Sequence, residues 1–172
     1  MSERTVTVGG NSAPLEGPEW KVGDTAPNFA LQYNGADGMK IVSLADFKGR
    51  TLLLSVVPSL DTSVCATQTR TFNQKAVQLP ESIALITISM DLPFAQARFC
   101  GIEHIDRIQC LSDHQSGEFG RDYGVMIADG PLKRILSRAV FIVGADGRFK
   151  YIEYVPEVTS EPNYEAAIAA LV

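Results

Sequence analysis

The run Thr51-Leu52-Leu53-Leu54-Ser55-Val56-Val57 is the strongest constraint on what this chain can fold into. It is strand-length, almost continuously apolar and closed by Pro58, the pattern of a central strand covered on both faces. Beyond Pro58 the period changes. From Thr62 onward, Cys65, Thr69, Phe72, Ala76 and Leu79 fall at intervals of 4, 3, 4 and 3 residues, one inward face of a helix that Pro80 ends. A buried strand feeding a helix needs further buried strands beside it and helices over the sheet.

The rest of the chain supplies them. Ile83 to Met90 reads as a second buried strand, and Ile108 to Leu111 as a short apolar piece. Arg138 to Val143 is a strand, Ala145-Asp146-Gly147 a turn, and Phe149 to Tyr154 a returning strand. Asp91 is placed to cap a short helix with Pro93 in its first turn and Gly101 at its end. Pro162 to Leu171 reads as a final helix. The first seventeen residues form a hairpin around Gly9-Gly10-Asn11, and Asn34 to Gly38 is a turn before a brief strand at Ile41-Val42. The expected fold is an α/β sandwich with a central mixed sheet flanked by helices and an N-terminal β-hairpin. No repeat or linker interrupts residues 1–172, so one domain is expected.

Composition narrows the function. Of 172 residues, 45% are hydrophobic and 20% charged, ordinary values for a globular chain with a full core. The net charge of -5 and the absence of a Lys/Arg cluster argue against nucleic-acid binding. No apolar run approaches the roughly 20 residues of a membrane span. The opening Met1-Ser2-Glu3-Arg4 lacks a basic start followed by an apolar stretch, so no secretory signal is expected. Three cysteines in such a chain point to a reducing, cytoplasmic compartment. The odd count also fits poorly with a structural disulfide framework, so any disulfide should belong to a working cycle.

Cys65 carries the chemical signal. It lies in the first turn of the helix after the central strand, where unpaired N–H groups and the helix dipole favour a thiolate. A thiol with the reference pKa of about 8.5 is only a few per cent ionised at pH 7, so a nucleophilic cysteine needs such help. Thr62, three residues earlier, is placed to hydrogen-bond the thiolate or a bound oxygen, and Pro58 to shield the pocket. The plainer alternative stays open on these grounds: Cys65 as a small buried residue on a core face.

The segment Pro58-Ser59-Leu60-Asp61-Thr62-Ser63-Val64-Cys65 resembles the Pro-x-x-x-Thr-x-x-Cys motif of peroxiredoxins. Its continuation through Ala66 to Asn73 is similar to the bacterial thiol peroxidase branch, the atypical two-cysteine peroxiredoxins. So are the early Val8-Gly9-Gly10-Asn11 turn, Asp91 to Gly101, Tyr123-Gly124-Val125, Ala128 to Leu132, and Glu161 to Glu165. The resemblance covers nearly the whole chain and implies a thioredoxin-like fold.

It further implies a redox cycle. Cys65 would attack a hydroperoxide, and Cys100 would resolve the sulfenic acid into a Cys65–Cys100 disulfide within one subunit. Thioredoxin would then restore both thiols. The substrates implied are hydrogen peroxide and alkyl or lipid hydroperoxides, an antioxidant peroxidase activity. Cys100 sits at the end of the Asp91 helix, where fraying is easy and the dipole does not acidify a thiol. Arg138 matches the arginine that sits beside the attacking cysteine, and its permanent charge suits a thiolate and a polarised O–O bond. No cofactor or metal is implied, and a homodimer is. Cys110 lies in a short apolar segment, is expected to pack in the core and receives no role. Gly144 stands where the family often has an acidic residue, away from the chemistry.

Two other chemistries compete. Cys100-x3-His104 and Cys110-x3-His114 have spacings that a zinc site can use, but each half arises easily by chance. A thioredoxin-like reductase would need a second cysteine three residues after Cys65, where the chain has Gln68. A non-catalytic interaction domain is opposed only by the density of active-site matches.

Overall fold

The computed structural model describes residues 3–172; the first two residues of the expected N-terminal hairpin region, Met1 and Ser2, lie outside them. A seven-stranded mixed sheet forms the centre. Its middle is β5 (Thr51–Val56), β6 (Ile83–Ser89) and β7 (Ile108–Ser112), all parallel. β9 (Ala139–Val143) runs antiparallel on the far side of β5, followed by its hairpin partner β10 (Phe149–Tyr154). The other edge is the hairpin β3 (Ala30–Gly35) and β4 (Gly38–Ser43), longer than the brief strand expected at Ile41-Val42. Alternating register explains the continuous apolar run of β5. Leu52, Leu54 and Val56 face a cluster containing Phe119, Tyr123, Phe141 and Phe149. Leu53 faces the opposite cluster, with Phe72, Ala76, Ile142 and Leu171.

The helices lie over these faces. α1 (Ser63–Ala76) turns Cys65, Gln68, Thr69, Phe72 and Ala76 inward, the expected stripe plus one glutamine. Phe72 is fully buried, a contribution of about 1.5–3 kcal/mol. α2 (Pro93–Ile102) begins with Pro93, but its N-cap is Leu92, not Asp91, and the helix passes through Gly101 to end at Ile102. Asp91 has other partners, described below. α3 (Glu118–Asp122) and the two-residue strand β8 (Met126–Ile127) are too short for a repeating apolar pattern to show in sequence. α4 (Tyr164–Ala169) is a shorter core of the expected final helix.

The N-terminal hairpin, β1 (Thr5–Val8) and β2 (Asn11–Glu16), forms a small second sheet with β8. Two glycines let it dock. Gly17 (φ +95) and Gly124 (φ +70) pack against the backbones of Arg121 and Pro18, where any Cβ would collide with a carbonyl oxygen. At the hairpin tip, the backbone N–H groups of Gly9 and Gly10 donate to the Glu157 carboxylate at 3.2 and 2.8 Å. That carboxylate also accepts from the backbone of Thr159 at 2.9 Å, and these bonds hold its pKa down at about 2.

Candidate active site

Where β5 ends, Pro58 is buried and the chain turns through Ser59 to Thr62 before entering α1. Asp91, just past β6, holds this turn. Its carboxylate accepts from Ser59 Oγ at 2.7 Å, from the Leu60 backbone N–H at 2.8 Å and from Ser89 Oγ at 2.8 Å. The residue that sequence placed at a helix cap therefore clamps the loop in front of Cys65. A carboxylate fully engaged by such donors holds the loop more tightly than a neutral group would.

Cys65 is completely buried. Arg138, entering from the segment before β9, points a guanidinium at it, with Nη2 at 3.4 Å from Sγ. Arg138 is 2% exposed. Its Nε donates to the Val158 carbonyl at 2.9 Å and its Nη1 to Gln68 Oε1 at 2.8 Å. Gln68 passes the chain on, donating from Nε2 to Ser55 Oγ at 2.7 Å. Among the described residues the only ion pairs are Arg70–Glu103 and Lys75–Glu165, so no carboxylate neutralises Arg138. A buried cation without a carboxylate needs some anion beside it. Of the three groups that Arg138 hydrogen-bonds, the Cys65 sulfur is the one that can carry negative charge.

Thr62 is exposed at the start of α1, and its hydroxyl donates to the Ser59 carbonyl at 2.9 Å. In this arrangement its proton is turned toward the loop, not toward Cys65. Cys100 lies in the last turn of α2, half-buried, with Sγ 3.0 Å from Sγ of Cys110. The Cys110 hydrogen bond draws the Cys100 thiol below its ordinary pKa, against partial burial. The same bond, with burial second, pushes Cys110 up. All three cysteines are free thiols. Cys110 is buried, as expected of a core residue, but its contact with Cys100 was not foreseen. Among the described residues, no three Cys, His, Asp or Glu side chains converge as a metal site would require.

The site is thus a strand-to-helix corner with a buried cysteine, an arginine beside it and a second thiol on another helix. Comparison with known proteins gives the family. The redoxin family model matches residues 21–168. This chain belongs to the redoxin family. It is 47% identical over 166 residues to a thiol peroxidase of Oceanobacillus iheyensis, covering 96% of this chain and 97% of that protein. The thiol peroxidase of Bacillus subtilis is 46% identical, with 96% and 95% covered. Among solved structures, a peroxiredoxin-like protein from Aquifex aeolicus superimposes with a TM-score of 0.88 at 42% identity, covering 98% of this chain and 95% of that one. The chain is thus a peroxiredoxin-type oxidoreductase of the thiol peroxidase branch, with the thioredoxin-like fold the motifs implied.

Two residues of this redoxin site escaped the sequence reading. Gln68 drew notice only because it is not a cysteine, yet it carries the Arg138–Ser55 connection. Its position on the inward helical face was the available signal, since a polar residue on an apolar stripe must find a partner. Asp91 is visible as a cap candidate, but its partners in the Ser59–Leu60 turn lie 31 and 32 residues away, beyond what cap rules can register.

Proposed function

We propose that this chain reduces hydrogen peroxide and organic hydroperoxides through a Cys65 sulfenic acid, resolved by Cys100 and recycled by a thioredoxin-type dithiol protein. The observation that carries the reading is the buried guanidinium of Arg138, 3.4 Å from Cys65 Sγ and free of any carboxylate among the described residues. It favours negative charge on that sulfur and on the oxygens of a bound peroxide.

The steps follow from the chemistry. The Cys65 thiolate attacks the terminal oxygen, an S–O bond forms and the O–O bond breaks. The departing oxygen takes a proton and leaves as alcohol or water. Cys100 thiolate then attacks the sulfenic sulfur, expelling hydroxide, which leaves as water, and a Cys65–Cys100 disulfide results. A dithiol protein reduces it by two successive exchanges. Since Cys65 is fully buried, the peroxide enters by displacement of the Ser59–Thr62 turn, and Thr62 is the hydroxyl on that turn able to swing toward the bound oxygen. Pro58, buried behind the turn, keeps bulk water from the sulfur.

The need for free thiols places this cycle in a reducing, cytoplasmic setting. A homodimer belongs to the same reading. Leu92 and Phe94, 47% and 65% exposed beside the Asp91 clamp, offer an apolar surface for a protein partner. A monomeric mass at micromolar concentration would count against it. The deciding experiment is peroxide consumption coupled to thioredoxin and its reductase. Wild type should turn over, Cys65→Ser should not, and Cys100→Ser should lose most thioredoxin-supported turnover. Equal turnover in wild type and Cys65→Ser would refute the reading.

A further inference from the structure

Cys110 stands in a row that leads back to the Cys65 site. In register across the sheet, Ser55 of β5 lies beside Thr87 of β6, and Thr87 beside Cys110 of β7. Register partners in parallel strands project to the same face. Ser55 begins the row by accepting from Gln68, the residue that holds Arg138 against Cys65. Cys65 and Cys110 share one buried cluster with Val57 and Leu60, and Cys100 packs against it. At the far end, Cys110 and Cys100 sulfurs are 3.0 Å apart, only about 1 Å beyond the length of an S–S bond.

Two further observations mark the pair as built. Gln96, one helical turn before Cys100, donates to Ser89 Oγ at 3.0 Å and to the Leu111 carbonyl at 2.8 Å. It thereby pins α2 onto β6 and β7 with Cys100 over Cys110. The Thr87 hydroxyl is buried and has no hydrogen-bond partner among the described residues. Leaving such a group unpaired is costly, and Thr87 sits in register beside Cys110.

We propose that Cys100 and Cys110 form a second redox pair, which takes over the disulfide from Cys65 and returns Cys65 to its thiolate before any external reductant acts. The step rests on the peroxidase cycle proposed above. Cys110 thiolate attacks Cys100 Sγ of the Cys65–Cys100 disulfide, the Cys100–Cys110 bond forms and the Cys65–Cys100 bond breaks. The electron pair leaves on Cys65, beside Arg138, and the Cys110 proton goes to solvent. No oxidant or reductant is consumed, because one disulfide replaces another. The first disulfide draws Cys65 and Cys100 away from their present partners, whereas the second joins sulfurs already in contact. The charge pattern orders the steps. While Cys100 is free, its hydrogen bond with Cys110 lowers the pKa of the Cys100 thiol and raises that of Cys110, so the proton is held more firmly on Cys110 than on Cys100, the resolver. Once Cys100 is bonded to Cys65, the main cause holding that proton is gone. Cys100, the less buried of the two, is then what a dithiol reductant meets, while Cys65 is ready for a second peroxide.

The test uses the reduced full chain, one molar equivalent of hydrogen peroxide and no reductant, with acid quenching, thiol blocking and non-reducing peptide mapping. Trypsin cleaves at Arg98 and Arg107, so Cys65, Cys100 and Cys110 fall in separate peptides. The Cys65–Cys100 linkage should appear first and decline as Cys100–Cys110 rises. A second equivalent should then produce a Cys65 sulfenic acid, captured by a carbon-nucleophile probe, in molecules that already hold Cys100–Cys110. In Cys65→Ser, one equivalent should leave both other thiols reduced on the same timescale. A Cys65–Cys100 disulfide that persists with Cys110 freely alkylated would overturn the relay and leave the peroxidase reading standing. Equally fast Cys100–Cys110 formation in Cys65→Ser would overturn it too. A wild type that never oxidises Cys65 would instead refute the peroxidase reading itself.

Discussion

Arg138 Nη2 and Cys65 Sγ stand 3.4 Å apart, a buried cation and a buried thiol held together by residues from a helix, a strand and a turn. Val158 and Gln68 fix the guanidinium from two sides, and Ser55 fixes Gln68 from the central strand. The charge is therefore aimed before any substrate arrives, the arrangement in which an electrostatic contribution to a transition state is largest.

Removing that charge should slow peroxide attack. Arg138→Met is expected to lower the second-order rate by a factor on the order of 10²–10³, since loss of one preorganised donor costs roughly 2.7–4 kcal/mol. Stopped-flow mixing of reduced protein with peroxide reads this directly. An unchanged rate would show that the guanidinium is only structural.

Cys65→Ser is expected to abolish peroxidase turnover while leaving the fold intact, because a hydroxyl fills nearly the same buried volume without a usable nucleophile. Coupled peroxide consumption and circular dichroism check the two halves. Residual activity comparable to wild type would move the chemistry elsewhere.

Gln68 should matter through Arg138. Gln68→Leu leaves Arg138 Nη1 and Ser55 Oγ without their present partner, costing about 1–3 kcal/mol of stability for each buried group left unpaired. Gln68→Glu keeps an acceptor but gives the guanidinium a carboxylate, which competes with the thiolate for its charge. The Glu variant should therefore be the more stable of the two and yet slower toward peroxide. Thermal melts beside stopped-flow rates test this; a Glu variant as fast as wild type would contradict it.

Resolution requires movement. Cys65 Sγ is engaged by Arg138 and Cys100 Sγ by Cys110, so neither sulfur is presented to the other. The oxidised protein should show faster amide exchange at the end of α2 or the first turn of α1, where short, terminal backbone opens at low cost. The half-exposed Arg70–Glu103 pair that ties α1 to this helix end is worth at most about 1 kcal/mol and offers little resistance. Identical exchange in reduced and disulfide-bonded protein would exclude the switch.

Two carboxylates give opposite pH dependences. Burial raises the pKa of Asp113 to about 6, above its ordinary value, although the backbone N–H groups of Gly120 and Phe119 donate to it. Its contribution is complete at low pH and is lost as pH rises through about 6, so wild type should lose stability relative to Asp113→Asn between pH ~4 and ~7. Glu157, held at about 2 by the hairpin and Thr159 N–H groups, contributes above its unfolded pKa and loses that contribution as pH falls toward 2. Protection of the Gly9-Gly10 amides, corrected for the intrinsic pH dependence of exchange, should accordingly fall below pH ~4. A flat difference for Asp113→Asn, or a tip insensitive to acid, would refute the respective claim.

Local pattern alone determined the central strand, the helix that follows it and the placing of Cys65 at their junction. The reason is that burial on both faces of a strand, or along one face of a helix, is written in spacing over a dozen residues. Spacing also singled out Thr62 beside Cys65, and the family resemblance implied Cys100 and Arg138. Only the tertiary structure decided the rest. The Arg138–Cys65 contact spans 73 positions, and Gln68 becomes its support only because Ser55 ends up facing α1. Asp91 reaches the Ser59–Leu60 turn instead of the helix beside it because β5 and β6 end side by side. Cys110 meets Cys100 because α2 folds back over β7, a juxtaposition set by sheet order and Gln96. Such contacts depend on which strands become neighbours, and that is a choice made by the whole core and not by any segment within it.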